Sequence, residues 1–234
     1  DLWRNVPWDE EANHFLDFGV REYGPSPFDA LPRDLDRAVQ KFGIATVRRN
    51  GMLPWRFAEE YGNLQRAFEG LTRNAPYATS DIVFFSAITA HYAQDSTQPF
   101  HATDNYDGRA TGNDGIHARF ERDLIERFES RLRLSPQPMV ITDPRTTAFD
   151  TLVTGHGLVA QILAADREAA AGKQVYDDDY FEKFFAKVQP VLERQLSLAI
   201  AETAGMIIGA WQQAGRPALR LSDVRPPERV RRTP

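Results

Sequence analysis

Two histidine–carboxylate pairs place the strongest constraint on this chain. His91 and Asp95 are four residues apart, and so are His117 and Glu121. On a helix, positions i and i+4 face the same way, so each pair presents two ligand groups toward one point. The pairs also extend apolar stripes. Phe84, Ile88, His91 and Asp95 recur at helical spacing in the first segment, and His117, Glu121, Leu124, Phe128 and Leu132 do so in the second. Both stripes are expected to face the core. A buried carboxylate without a partner costs several kcal/mol or takes up a proton. A divalent cation supplies that partner, and imidazole with carboxylate suits zinc.

The remaining bulk properties narrow the field. The chain has 234 residues, 42% of them hydrophobic, enough to bury a sizeable core. Its net charge of −5 gives no global attraction to nucleic acid or anionic membrane, so any polyanionic substrate must be held by local features. There is no cysteine, which excludes disulfides and zinc–thiolate sites. The most apolar stretch, Leu196 to Trp211, carries Glu202 and is too short to cross a bilayer, so no stable membrane insertion is expected. No signal-peptide pattern opens the sequence, and the abrupt start at Asp1 reads as a processed or trimmed product.

In chain order, residues 1–32 are rich in turn formers and read as mostly irregular, with a short extended piece near His14 to Phe18. Asp34 to Arg49 reads as one helix stopped by Asn50-Gly51. Pro54 opens a second helix that runs to about Leu71. Thr79 or Ser80 caps the helix carrying His91 and Asp95. Pro99 ends it, which leaves His101 free to turn back toward the same point. Residues 102–115 form a loop rich in Asp, Asn and Gly, and a further helix spans about 116–133. Prolines 136, 138 and 144 mark another loop. A helix follows over about 146–171, and a last helical region runs from Asp178 to Ala214, where Pro190 should kink or split it. No run shows strand alternation. The expected fold is all-α, a single-domain bundle over 1–215 with a Pro- and Arg-rich tail over 216–234. Arg229, Arg231 and Arg232 read as a solvated part of that tail, and His156 as a structural histidine.

The motif HYxxDxxQPFH over 91–101, followed by GIHxRFE over 115–121, resembles the zinc-dependent phospholipase C family and its relatives, the single-strand-preferring zinc nucleases. NHFLD, Asn13 to Asp17, is similar to the family segment that carries another ligand histidine, here His14. Asp1 stands near the place of a ligand aspartate. The resemblance is strong over 91–121, moderate over 1–17, and no more than shared helical character over 146–214. It implies one zinc on Asp1, His14, His91 and Asp95, and a second on His101, His117 and Glu121. The family's third zinc takes an N-terminal tryptophan, a nearby histidine and the shared carboxylate, here Asp95. The chain opens at Asp1, with no such Trp-to-His segment before it, so two zincs are expected, and three if such a segment exists.

The reaction implied is phosphodiester hydrolysis by a metal-activated water, with zinc lowering the water's pKa to roughly 7 and two ions about 4 Å apart clamping the phosphate. The catalytic carboxylates implied are Asp1 and Asp95. Asn105 and Arg109, in the loop after His101, are weaker candidates for substrate contact. Leu2 and Glu11 stand where choline-preferring relatives carry aromatics, which speaks against a choline cage. Gly112-Asn113 is similar to a nuclease-branch loop, while the lack of cysteine leans toward the phospholipase branch. A phospholipid headgroup and a single-stranded nucleic acid, cleaved with nuclease or 3′-nucleotidase activity, are therefore both open as substrates. The rival is a non-catalytic helical protein with an incomplete zinc cluster. The resemblance also implies a secreted or periplasmic protein.

Overall fold

The computed structural model describes residues 10–171 and 175–219. Among them no strand occurs, and the fold is all-α. Asp1, Leu2, Arg229, Arg231 and Arg232 lie outside the described residues.

The helices are α1 (Leu35–Phe42), α2 (Ile44–Arg49), α3 (Leu53–Thr72), α4 (Ala78–Thr97), α5 (Ile116–Ala118), α6 (Leu124–Phe128), α7 (Pro144–Ala170) and α8 (Asp178–Gln213). Between α5 and α6 runs a π-helical turn, Arg119–Asp123. Two 3-10 turns, Glu11–His14 and Pro99–Ala102, carry His14 and His101. Helices α3, α4, α7 and α8 pack on one another and form the body of the bundle.

Several boundaries differ from expectation, each for a local reason. The single helix expected over Asp34 to Arg49 is two, broken at Gly43, whose φ of +78° and ψ of 146° leave the helical region. Neither Thr79 nor Ser80 caps α4, which starts at Ala78 behind Tyr77 with no side-chain cap. Helix α7 begins earlier than expected because Asp143 accepts a hydrogen bond from the Thr146 amide and Pro144 sits in the first turn. Helix α8 runs unsplit through Pro190. That proline and Ala186 one turn before it are both exposed, so water can serve the carbonyl whose donor proline removes. Around His14 the chain makes a 3-10 turn, and the extended backbone starts only at Phe15.

The core has two parts. One gathers Leu16, Phe18, Tyr92 and Ala93 with side chains of α3, the start of α7 and the end of α8. The other gathers Phe100, Ile116, Phe120 and Leu124 with the end of α7 and the start of α8. Helices α7 and α8 run through both. Of the stripes read from the sequence, Ile88, Leu124 and Phe128 are buried as expected, but Phe84 is 49% exposed. The α4 stripe therefore starts at the surface and enters the protein only toward His91.

Helix α8 makes two unusual contacts. Gly205 and Gly209 let residues 139–141 lie directly on the helix, where the Ile141 amide donates to the Gly205 carbonyl at 3.1 Å. The Tyr61 hydroxyl donates to the Ile141 carbonyl at 2.8 Å. A Cβ at Gly209 would stand 1.9 Å from that carbonyl oxygen. Glu202 is buried between Ser96 and Thr151 hydroxyls, with no cationic side chain beside it among the described residues. Burial raises its carboxyl pKa from 4.5 to about 7 against the pull of those hydroxyls.

Gly209→Ala is expected to destabilise the fold by about 2 kcal/mol or more, read as a lower urea midpoint, since backbone rather than a flexible side chain must give way. Glu202 holds its proton more tightly when folded than when unfolded. The stability it contributes is thus full below pH 4.5 and is lost as pH rises through 7. Glu202→Gln should flatten that fall, so the melting temperature of the variant relative to the parent rises between pH 4.5 and pH 8.

Candidate metal centre

His14 is placed by the backbone rather than by a long helix. The Met52 amide donates to the Ala12 carbonyl at 2.6 Å, Leu53 to Phe15 at 3.1 Å, Asp17 to Asn50 at 2.8 Å and Leu16 to His101 at 2.8 Å. These bonds lay the segment 12–17 between the α2–α3 connection and the turn after α4. Gly51 makes the approach possible, because a Cβ there would lie 2.1 Å from the Phe15 oxygen. The Asn50-Gly51 dipeptide, a helix stop by sequence, is also the cradle of the His14 segment.

Three side chains meet at that point. His14 Nδ1 lies 2.9 Å from Asp95 Oδ2 and 2.9 Å from His91 Nε2, and His91 Nε2 lies 3.2 Å from the same oxygen. A tetrahedral zinc with bonds of about 2.1 Å keeps its ligand atoms about 3.4 Å apart. The observed triangle is close to that size. The second group is His101, His117 and Glu121. His117 Nε2 lies 2.7 Å from Glu121 Oε2, and His101 Nε2 lies 3.8 Å from it. Each group offers its ligand atoms within 4.8 Å of one another. Asp95 joins the two, because its second oxygen, Oδ1, stands 3.6 Å from His101 Nδ1.

The donor chemistry fits divalent cations. His14 Nε2 and His101 Nδ1, the ring nitrogens opposite those that meet His91 and Glu121, are buried with no hydrogen-bond partner among the described residues. Burial pushes His101 below its ordinary pKa, against the attraction of Asp95, and so keeps a neutral ring with a lone pair to give. The hydrogen bond with Asp95 raises His91, against burial. Burial works to raise Asp95, but the interaction with His101 and the hydrogen bonds of His14 and His91 outweigh it, leaving the carboxyl far below the usual range. At Glu121 burial is likewise overcome, by His117 and His101, and the pKa falls to about 2.

A second set of residues, not foreseen from the sequence, holds these ligands in place. Gln98 Nε2 donates to Glu121 Oε2 at 3.0 Å, which gives the Gln-Pro dipeptide of the motif a physical role. Arg119 lies between His117 and Glu121 in sequence but turns inward. It donates to the Tyr180 hydroxyl at 2.9 Å, to Asp166 Oδ1 at 3.1 Å and to the Asn113 carbonyl at 3.2 Å. Asn113 Nδ2 donates to Asp166 and to the Leu163 carbonyl. This buried network ties the π-helical turn to α7 and α8. His156 Nδ1 donates to the Ala102 carbonyl at 2.8 Å and steadies the turn that carries His101, the structural role expected of it.

Both groups open into one cleft of about 610 Å³. Tyr106, half exposed, stands at its edge with its ring 6.3 Å from that of His117. Neither Asn105 nor Arg109 lines the cleft. Asn105 spends its side chain on the Ala110 amide and the Thr111 hydroxyl, and Arg109 is exposed beside Asp107. Asp1, expected both as a ligand and as a catalytic carboxylate, lies outside the described residues.

Zinc added to metal-stripped protein, at about 100 times its dissociation constant, is expected to raise the melting temperature by roughly 5–10 °C. A His91→Ala/His117→Ala double variant should lose that gain, as read by differential scanning calorimetry. In comparisons with family models, curated proteins and solved structures, nothing matches this chain.

Proposed function

We propose that this chain is a zinc-dependent phosphodiesterase of the phospholipase C-like kind, with two cations held side by side. The observation that carries this reading is the pairing of two His/carboxylate groups, joined through Asp95, at one end of a single cleft.

His14, His91 and Asp95 would hold one ion, and His101, His117 and Glu121 the other. Such ions supply a Lewis acid for phosphoryl oxygens and a water acidified to a pKa of about 7. The chain's own contribution is order. Asp95 and Glu121 stay ionised across the neutral range, so each presents a full negative charge. Gln98 fixes the Glu121 carboxylate, leaving it less free to rotate away. The Arg119 network fixes the turn beneath His117 and Glu121. Four acidic side chains line the cleft, Glu11, Asp17, Asp95 and Glu121; burial and the neighbouring Asp104 raise Asp17 to about 7, and the field of the ionised carboxylates favours cations there.

The test is metal analysis of the purified protein followed by an assay with bis(p-nitrophenyl) phosphate. About two zincs per chain, turnover lost to chelator and restored by zinc, and a drop of at least about 100-fold for Asp95→Asn support the reading. Zinc retained without turnover of any phosphodiester would leave a structural metal site and end the enzymatic proposal.

A further inference from the structure

The cleft extends beyond the ligand groups along α8. Leu192, Gln195, Leu196 and Ala199 recur at helical spacing and all line it. Phe120 and Ile125 line it too, from the segment that carries Glu121, with Ile125 one turn after that carboxylate. The wall beside the second ligand group is thus apolar, aliphatic along α8 and aromatic at Phe100 and Phe120. Among the described residues no lysine or arginine lines the cleft. Gln195 is the one polar side chain of this α8 wall. Its Nε2 donates to the Thr97 carbonyl at 2.6 Å, which fixes the amide, and its Oε1 is buried without a hydrogen-bond partner. A buried acceptor without a donor is costly, so the wall as it stands is incomplete.

A chain of phosphates needs a cationic track beside the bound phosphate, and proteins that bind single strands supply one from lysine and arginine. The cleft offers no such track among the described residues, and besides the two ligand carboxylates it is lined by Glu11 and Asp17. An apolar ester group, by contrast, gains up to about fourfold in affinity for each methylene it buries.

We propose that the α8 side of the cleft is a subsite for the apolar ester group of a phosphodiester that carries a single negative charge, and that it disfavours polynucleotides. This deepens the phosphodiesterase reading and rests on it. The two cation sites hold the phosphate, and Leu192, Leu196, Ala199, Phe120 and Ile125 cover the alkyl part.

Calorimetric titration of the zinc-loaded full chain with dimethyl phosphate, dibutyl phosphate and tetrathymidylate tests the proposal. Dibutyl phosphate is expected to bind at least about tenfold tighter than dimethyl phosphate, and tetrathymidylate no tighter than dimethyl phosphate. Leu196→Gln should shrink the dibutyl-to-dimethyl ratio at least about fivefold with zinc content unchanged. The ratio measured on the unaltered chain decides the matter even if that variant folds poorly. Equal binding of the two alkyl esters, or tetrathymidylate binding tighter than dibutyl phosphate, overturns the subsite. If no ester binds while zinc remains bound, the phosphodiesterase reading itself falls, and the subsite with it.

Discussion

The centre of this protein depends on one buried carboxylate. Asp95 sits at the end of α4 with imidazoles on both of its oxygens, His14 and His91 on one side and His101 on the other. Three parts of the chain that are remote in sequence are drawn together there. They are the 3-10 turn near the start, the end of a twenty-residue helix, and the turn beyond Pro99. Three imidazoles crowded this tightly cannot all take up protons, and an ionised carboxylate among them cannot go without a partner. The bundle can keep the arrangement because the imidazoles, one negative group and room for cations balance one another.

The arrangement also lies where the two parts of the core meet. His14, His91 and Asp95 are attached to the part built on α3 and α4, whereas His101, His117 and Glu121 are attached to the part built on the end of α7 and the start of α8. A small shift between these parts would change the distance between the ligand groups. The Asp95–His101 contact and the backbone bond from Leu16 to His101 span that joint. The centre is therefore both a product of the packing and a clamp on it.

Much of this was legible in the sequence because it obeys helical spacing. His91 and Asp95, and His117 and Glu121, could be paired by counting, and Pro99 marked where His101 turns back. The all-α class followed from periodicity and from the lack of strand alternation. What could not be read has physical causes. Gly43 looked like one residue inside a helix, yet its backbone leaves the helical region. Phe84 fell on the α4 stripe, but exposure is set by which neighbours cover that end of the helix, and spacing does not state that. The Arg119, Asp166, Tyr180 and Asn113 network joins positions far apart in the chain, with no local pattern to announce it. The wall formed by α8 was hidden for the same reason, since Leu192, Leu196 and Ala199 look like ordinary core positions.

The π-helical turn from Arg119 to Asp123 has a bearing on how such a chain tolerates change in length. A turn of this kind holds one residue more than an α-helical turn, and removing that residue would let the backbone relax into the regular form. A deletion between His117 and Glu121 would leave α5 and α6 in register but shorten the spacing of this ligand pair by one residue, about 100° of a regular helix. The helix would gain regularity while the imidazole lost its aim. Substitutions in this segment can be absorbed one side chain at a time, but a single-residue deletion would separate the ability to fold from the ability to gather ligands.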